Sequence, residues 1–120
     1  GFTLAELLLA MAILVFTIVA LLGFFVSCIF LNESSRNLTI ATSHAQFALE
    51  ETKNTNFSSI QSATWNNASI VSRGLAPLPT EAIVITVSGS DPKDVRATVN
   101  WQDRGIRNRS ISLETLITEQ

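Results

Sequence analysis

The 120-residue chain is 47% hydrophobic and 15% charged, and its formal net charge is −2. That charge gives no indication of a nucleic-acid or anionic-membrane partner, and a single cysteine excludes a disulfide within the chain. The apolar residues are concentrated in the first 31 positions, and the remainder is long enough for one small core.

The chain opens with a long apolar segment that follows a single carboxylate. Glu6 is the only charged residue before Glu33. As a helix, residues 2–31 would extend about 45 Å, more than the roughly 30 Å of a bilayer's hydrocarbon core. No small-residue cleavage site follows them, as one would in a secretory signal peptide, so we predict a retained membrane span.

Glu6 needs a partner, because a charged side chain in hydrocarbon costs about 2.5–3.5 kcal/mol on insertion scales. One local role is a capping box, in which Thr3 and Glu6 each accept a hydrogen bond from the other's backbone amide. A carboxylate in the first turn also suits the positive end of the helix dipole. Capping does not account for the preceding Gly1-Phe2 or for the apolar run that follows.

The order Gly1-Phe2-Thr3-Leu4-Ala5-Glu6, followed by an uninterrupted apolar helix, resembles the N-terminus of type IV pilins and type II secretion pseudopilins. The resemblance implies that a prepilin peptidase cuts after Gly1 and that the new terminal residue, Phe2, is N-methylated. It also implies that Glu6 pairs with the terminal ammonium of a neighbouring subunit. Ala5 departs from the pattern, since the family usually has a larger aliphatic residue there.

The same resemblance implies a function. The chain would be a structural subunit, a major or minor pilin, of a type IV pilus-like extracellular filament. It would cross the inner membrane once before an assembly platform adds it to a helical homo-oligomer with related pilins. The alternatives are a pseudopilin of a type II secretion system and a membrane-anchored minor pilin that binds DNA or an adhesion target. No cofactor is implied.

Two further features lie within the apolar segment. Gly23 and Ser27 form a pair of small residues four apart, which would let a second helix approach closely, although such pairs also recur by chance. Cys28 is expected to behave as a small buried apolar residue.

The residues after the apolar segment predict an α+β fold. We divide the chain into an apolar helix over 1–31, an amphipathic helix over 32–56, a surface loop over 57–80 and an antiparallel β-sheet over 81–120. A long N-terminal helix packed on a small antiparallel meander is the pilin architecture that the resemblance implies. The apolar helix face consists of Leu38, Ala41, Ala45, Ala48, Leu49 and Thr52.

Ile40 and Phe47 lie off that face, and they indicate either a second apolar face for neighbouring subunits or one broad core-facing stripe. Phe57 and Trp65 are expected to hold the loop on the core. The sheet is predicted from alternating segments separated by turns at 89–92 and 103–105. Their inward residues are Ile83, Ile85 and Val87, then Val95, Ala97, Val99 and Trp101, then Ile111, Leu113 and Ile117.

No catalytic set emerges, so we do not expect an enzyme. His44, the only histidine, is interpreted as a surface or groove residue. The carboxylates of Glu50, Glu51, Asp91 and Asp94 lack the spacing of a metal loop, and we interpret them as solvated charges.

Two surface features suggest additional roles. Arg104, Arg107 and Arg109 crowd one hairpin near Trp101, where they could contact DNA phosphates or form a solvated hairpin balanced by acids. The triplet Asn-x-Ser/Thr recurs more often than composition predicts, and each copy is a candidate glycosylation site in an exported protein. These triplets begin at Asn32, Asn37, Asn56, Asn67 and Asn108.

Overall fold

A computed structural model of the chain describes residues 1–104 and 107–120. One long helix, α1 (Leu4–Lys53), is followed by a four-stranded antiparallel sheet. The chain divides into two compact units, Gly1–Ser34 and Ser35–Gln120, and α1 belongs to both. The predicted α+β fold is therefore confirmed.

Helix α1 ends where its sequence ceases to favour helix. The amides of Asn54 and Thr55 bond to the carbonyls of Glu50 and Thr52, at 3.0 and 3.1 Å, and close the last turn. The residues that follow, Asn54-Thr55-Asn56, are poor helix formers, so the chain leaves the helix here. Lys53 in the last turn suits the negative end of the helix dipole.

The second half of α1 packs on the core of the second unit through small side chains. Ala41, Ala45 and Ala48 are fully buried there, and Leu49 is buried beside them in the same core. The predicted face is right except at Leu38, which is 40% exposed, whereas its neighbour Asn37 is buried. Because Ile40 and Phe47 pack against the same core, the face is one broad stripe.

The strands follow one another as an antiparallel meander, as predicted. They are β1 (Ala63–Trp65), β2 (Ala82–Ser88), β3 (Lys93–Asp103) and β4 (Arg107–Ile117), in the order β1-β2-β3-β4. Val99 in β3 lies opposite Ile83 in β2 and Ile111 in β4, so three strands contribute to one apolar layer. Gly105, in the predicted turn between β3 and β4, lies outside the described residues.

The segment 57–80 is not the structureless loop that its Ser- and Asn-rich composition predicts. It contains a 3-10 turn (Phe57–Ser59), strand β1 and a short helix, α2 (Asn67–Ser72). The Oδ1 atom of Asn66 accepts a hydrogen bond from the Ser69 amide at 2.9 Å and caps α2. Trp65 is buried and Phe57 packs on the core, as expected.

Truncation of Ile83 tests how much the core of the second unit contributes to stability. This side chain is fully buried between neighbouring strands, so Ile83→Ala should lower the free energy of unfolding by about 2–5 kcal/mol. Thr86→Ala, on the exposed side of the same strand, should change it by less than about 0.5 kcal/mol. Urea titration followed by the fluorescence of buried Trp65 and Trp101 measures both, and equal losses would contradict this description of the core.

Candidate functional site

The start of α1 is capped by reciprocal hydrogen bonds between Thr3 and Glu6. The Thr3 amide donates to Glu6 Oε2 at 2.9 Å, and the Glu6 amide donates to Thr3 Oγ1 at 3.2 Å. This is the capping box that the spacing predicts. It fixes the Glu6 carboxylate at the helix N-terminus, where the backbone dipole also favours a negative charge.

The first unit has an apolar surface made of exposed side chains. Twenty large hydrophobic side chains between Phe2 and Leu31 are exposed. Within the described residues, α1 is the one helix long and apolar enough to cross a membrane. Cys28 also lies exposed on this helix.

The hydroxyl groups of this apolar segment are satisfied by their own helix. Thr17 Oγ1 donates to the Ile13 carbonyl at 2.8 Å, and Ser27 Oγ donates to the Gly23 carbonyl at 3.0 Å. A hydroxyl without such a partner would be costly to place in an apolar environment. These bonds make the helix surface compatible with hydrocarbon or with the apolar surface of another helix.

A shallow apolar depression on α1 includes Ala12 in its lining. The other lining side chains are larger, and most of them fall at three- and four-residue spacings on one helix face. The lining residues are Leu8, Met11, Ala12, Val15, Phe16 and Val19. A side chain of a second helix could enter this depression as a knob enters a hole.

The three hairpin arginines differ in their surroundings. Arg104 and Arg107 are exposed, whereas Arg109 is partly buried and its Nε lies 3.9 Å from Asp103 Oδ2. Asp103 is buried and accepts hydrogen bonds from Asn37 Nδ2 at 2.8 Å and from Trp101 Nε1 at 3.0 Å. Arg109 therefore belongs partly to a buried network that joins α1 to β3.

The hydrogen bond between Asn37 and Asp103 makes Asn37 unsuitable as a glycosylation site. Asn37 is 2% exposed, and its side-chain nitrogen is the donor to Asp103, so a glycan there would displace a buried hydrogen bond. The other four triplets begin at exposed asparagines, namely Asn32, Asn56, Asn67 and Asn108.

His44 is not a surface residue, which corrects the interpretation from sequence. It is 6% exposed, and its Nδ1 lies 2.9 Å from both carboxylate oxygens of Glu81, which is 2% exposed. A buried carboxylate is tolerated when it is paired, so this contact joins α1 to the residue preceding β2. Its geometry indicates a structural role.

One of the predicted solvated acids also has a specific partner. Glu51 accepts hydrogen bonds from Arg73 Nε at 3.1 and 3.2 Å, and the guanidinium of Arg73 lies 3.9 Å from the ring centroid of Trp65. This stack holds α2 against the end of α1. In the described part of the chain, no group of three His, Cys, Asp or Glu side chains could hold a metal ion.

No protein-family model, curated protein or solved structure matches the chain. The residues and contacts of the chain itself are therefore the basis for assigning a function. The strongest candidate site is the N-terminal one, in which a capped carboxylate begins an exposed apolar helix.

The His44–Glu81 contact predicts a specific pattern of coupling. His44→Leu leaves a buried carboxylate without its partner and should cost about 3–5 kcal/mol in the free energy of unfolding. Adding Glu81→Met should recover most of that loss, because apolar replacement of both partners is often nearly neutral. Urea titration of the variants measures the coupling, and a double variant as unstable as the summed single variants would contradict it.

Proposed function

We propose that the chain is a structural subunit, a major or minor pilin, of a type IV pilus-like extracellular filament. It crosses the inner membrane once before assembly and polymerises through the apolar half of α1. The observation that carries this proposal is an exposed apolar helix that begins at a single carboxylate. The resemblance of residues 1–6 to the pilin processing motif supports the same reading.

The apolar surface supports the proposal because water is a poor environment for it. Burying one Val, Leu, Ile or Phe side chain is favourable by about 1.5–3 kcal/mol, and twenty large side chains are exposed between Phe2 and Leu31. Lipid covers such a surface before assembly, and the same segments of neighbouring subunits cover it afterwards. The second unit has its own core and stays outside the membrane.

The Glu6 carboxylate favours transfer of the subunit from the membrane into the filament. In lipid, Glu6 has the Thr3 amide as its partner in the capping box. Cleavage after Gly1 creates an ammonium at Phe2, and in a filament the Phe2 ammonium of one subunit pairs with the Glu6 carboxylate of another. A charge pair in a low-dielectric setting is stronger than in water, so the pairing favours assembly and fixes the axial position of the helices.

Packing between helices supplies the remaining stabilisation. Lipid tails are as apolar as leucine, so helices associate through close packing and small residues. The depression at Ala12 and the small pair Gly23 and Ser27 are two places along the segment where a neighbouring helix could approach closely.

Two alternatives use the same N-terminal site. A pseudopilin of a type II secretion system would assemble in the same way but form a short filament in the envelope. A membrane-anchored minor pilin that binds DNA or an adhesion target would use the exposed Arg104 and Arg107 and need not polymerise. Recovery of the chain in filaments sheared from the cell surface separates the proposed pilin from both.

Glu6→Gln tests the role of the charge separately from the role of the cap. Glutamine also completes a capping box, so this variant keeps the helix start but loses the charge needed for the Phe2 ammonium. We expect strongly reduced filament yield in sheared fractions and unchanged abundance in the membrane. Thr3→Ala is the matched control, because it weakens the cap but keeps the carboxylate, and it should still assemble. Normal filaments from Glu6→Gln would refute the pairing.

Ala12→Ile tests whether the depression receives a neighbouring helix. The substitution fills the depression while keeping the segment apolar, so membrane insertion should be unchanged and filament yield should fall. Ala10→Ile makes the same change on nearly the opposite face of the helix and is the control. Immunoblots of sheared and membrane fractions measure both variants. Equal yields from the two would show that Ala12 is not at a close contact.

A further inference from the structure

The outward face of the β3–β4 hairpin carries a ladder of polar side chains, most of which pair across the strands. Arg96 bonds with Glu114, and Thr98 Oγ1 lies 2.9 Å from Ser112 Oγ. Farther along, Gln102 Nε2 donates to Asn108 Oδ1 at 2.8 Å. These pairs lie directly opposite one another in the strand register.

One cross-strand pair of this ladder is not hydrogen-bonded through its side chains, and we call it the open rung. Asn100 lies opposite Ser110, between the two paired rungs, yet neither side chain has a hydrogen-bond partner among the described residues. Both residues are exposed. The ladder thus leaves one amide and one hydroxyl available at a position where its neighbours satisfy each other.

The open rung lies in a cavity of about 360 Å³. That volume is at the lower end of the range in which proteins bind small molecules, about 300–1,000 Å³. The cavity is lined by Thr80, Asn100, Trp101, Gln102, Asn108, Arg109 and Ser110. Arg109 is the one charged residue among these, and Asp103 lies beside it.

Thr80 stands at the rim of the cavity in an unfavourable backbone conformation. Its φ is +54°, in the left-handed region that a β-branched residue rarely adopts. The conformation is held on both sides, since the Gln102 amide donates to the Pro79 carbonyl at 3.0 Å and the next residue, Glu81, is bonded to His44. Such over-determined strain clusters at ligand-binding positions.

We propose that this cavity binds one hexopyranose unit of a glycan. Each sugar hydroxyl both donates and accepts, and the lining offers both functions through amides and hydroxyls. The Gln102–Asn108 bond leaves one amide oxygen and one amide nitrogen of that pair available as well.

Other ligand classes fit the cavity less well. An anionic ligand would require a surface of cationic donors, whereas this lining contributes hydrogen-bond acceptors as well as donors, and its one cation has an acid beside it. An extended peptide would add to the sheet along the edge of a strand, whereas the open rung lies on the face of the sheet, between two paired strands. Sugar binding at this place does not depend on whether the chain polymerises.

The test uses the full chain, labelled with ¹⁵N, in micelles of a detergent without a sugar head group. Methyl glucoside, methyl galactoside, methyl mannoside and N-acetylglucosamine are titrated separately, with inorganic phosphate and an oligodeoxynucleotide as competing probes. We expect at least one sugar to shift the side-chain amide signals of Asn100, Gln102 and Asn108 saturably.

The double variant Asn100→Ala with Ser110→Ala removes the open rung and should weaken that binding by about tenfold or more. Thr98→Ala with Ser112→Ala removes the adjacent paired rung and is the matched control, so it should leave binding unchanged. The proposal is overturned if no sugar gives saturable shifts, if both double variants weaken binding equally, or if only phosphate or the oligonucleotide saturates these signals.

Discussion

The strongest physical constraint in this molecule is that the first half of α1 is apolar on every side, with its large hydrophobic side chains exposed. A soluble helix presents one apolar stripe to its core, whereas a helix that is apolar all round requires hydrocarbon or other helices. The hydroxyls of Thr17 and Ser27 bond back to their own helix, which is what such a setting demands. The second unit, by contrast, has a buried hydrophobic core of its own.

The second half of the same helix obeys the opposite constraint. There α1 has a defined buried face, which includes three fully buried alanines. Polar contacts then fix its position, because Asn37 bonds to Asp103 and His44 bonds to Glu81. Both contacts join residues far apart in sequence, so they select one arrangement of helix and strands. The His44–Glu81 contact also holds the chain beside Thr80 at the rim of the polar cavity.

Periodicity predicts the long helix and the three long strands, because burial in them follows regular spacing, and the poor helix formers Asn54-Thr55-Asn56 predict the end of the helix. Periodicity fails where burial is irregular. Asn37 is buried instead of Leu38 because a partner, Asp103, lies 66 positions away, and no local pattern reveals that. The burial of His44 depends in the same way on Glu81, which lies 37 positions away. Strand β1 and helix α2 are too short for a periodic signal, and their Ser- and Asn-rich composition is typical of loops. At the N-terminus, the spacing of Thr3 and Glu6 did predict the capping box, since both partners lie within one turn.

The proposed function requires that the chain leaves the membrane and polymerises through its N-terminal helix. Mass measurement of the N-terminal peptide from filaments sheared from cells tests this requirement. We expect a peptide that begins at methylated Phe2 in that fraction, which would establish processing and export together. A chain that stays with the membrane, still carrying Gly1 and no methyl group, would contradict it and favour an anchored binding module.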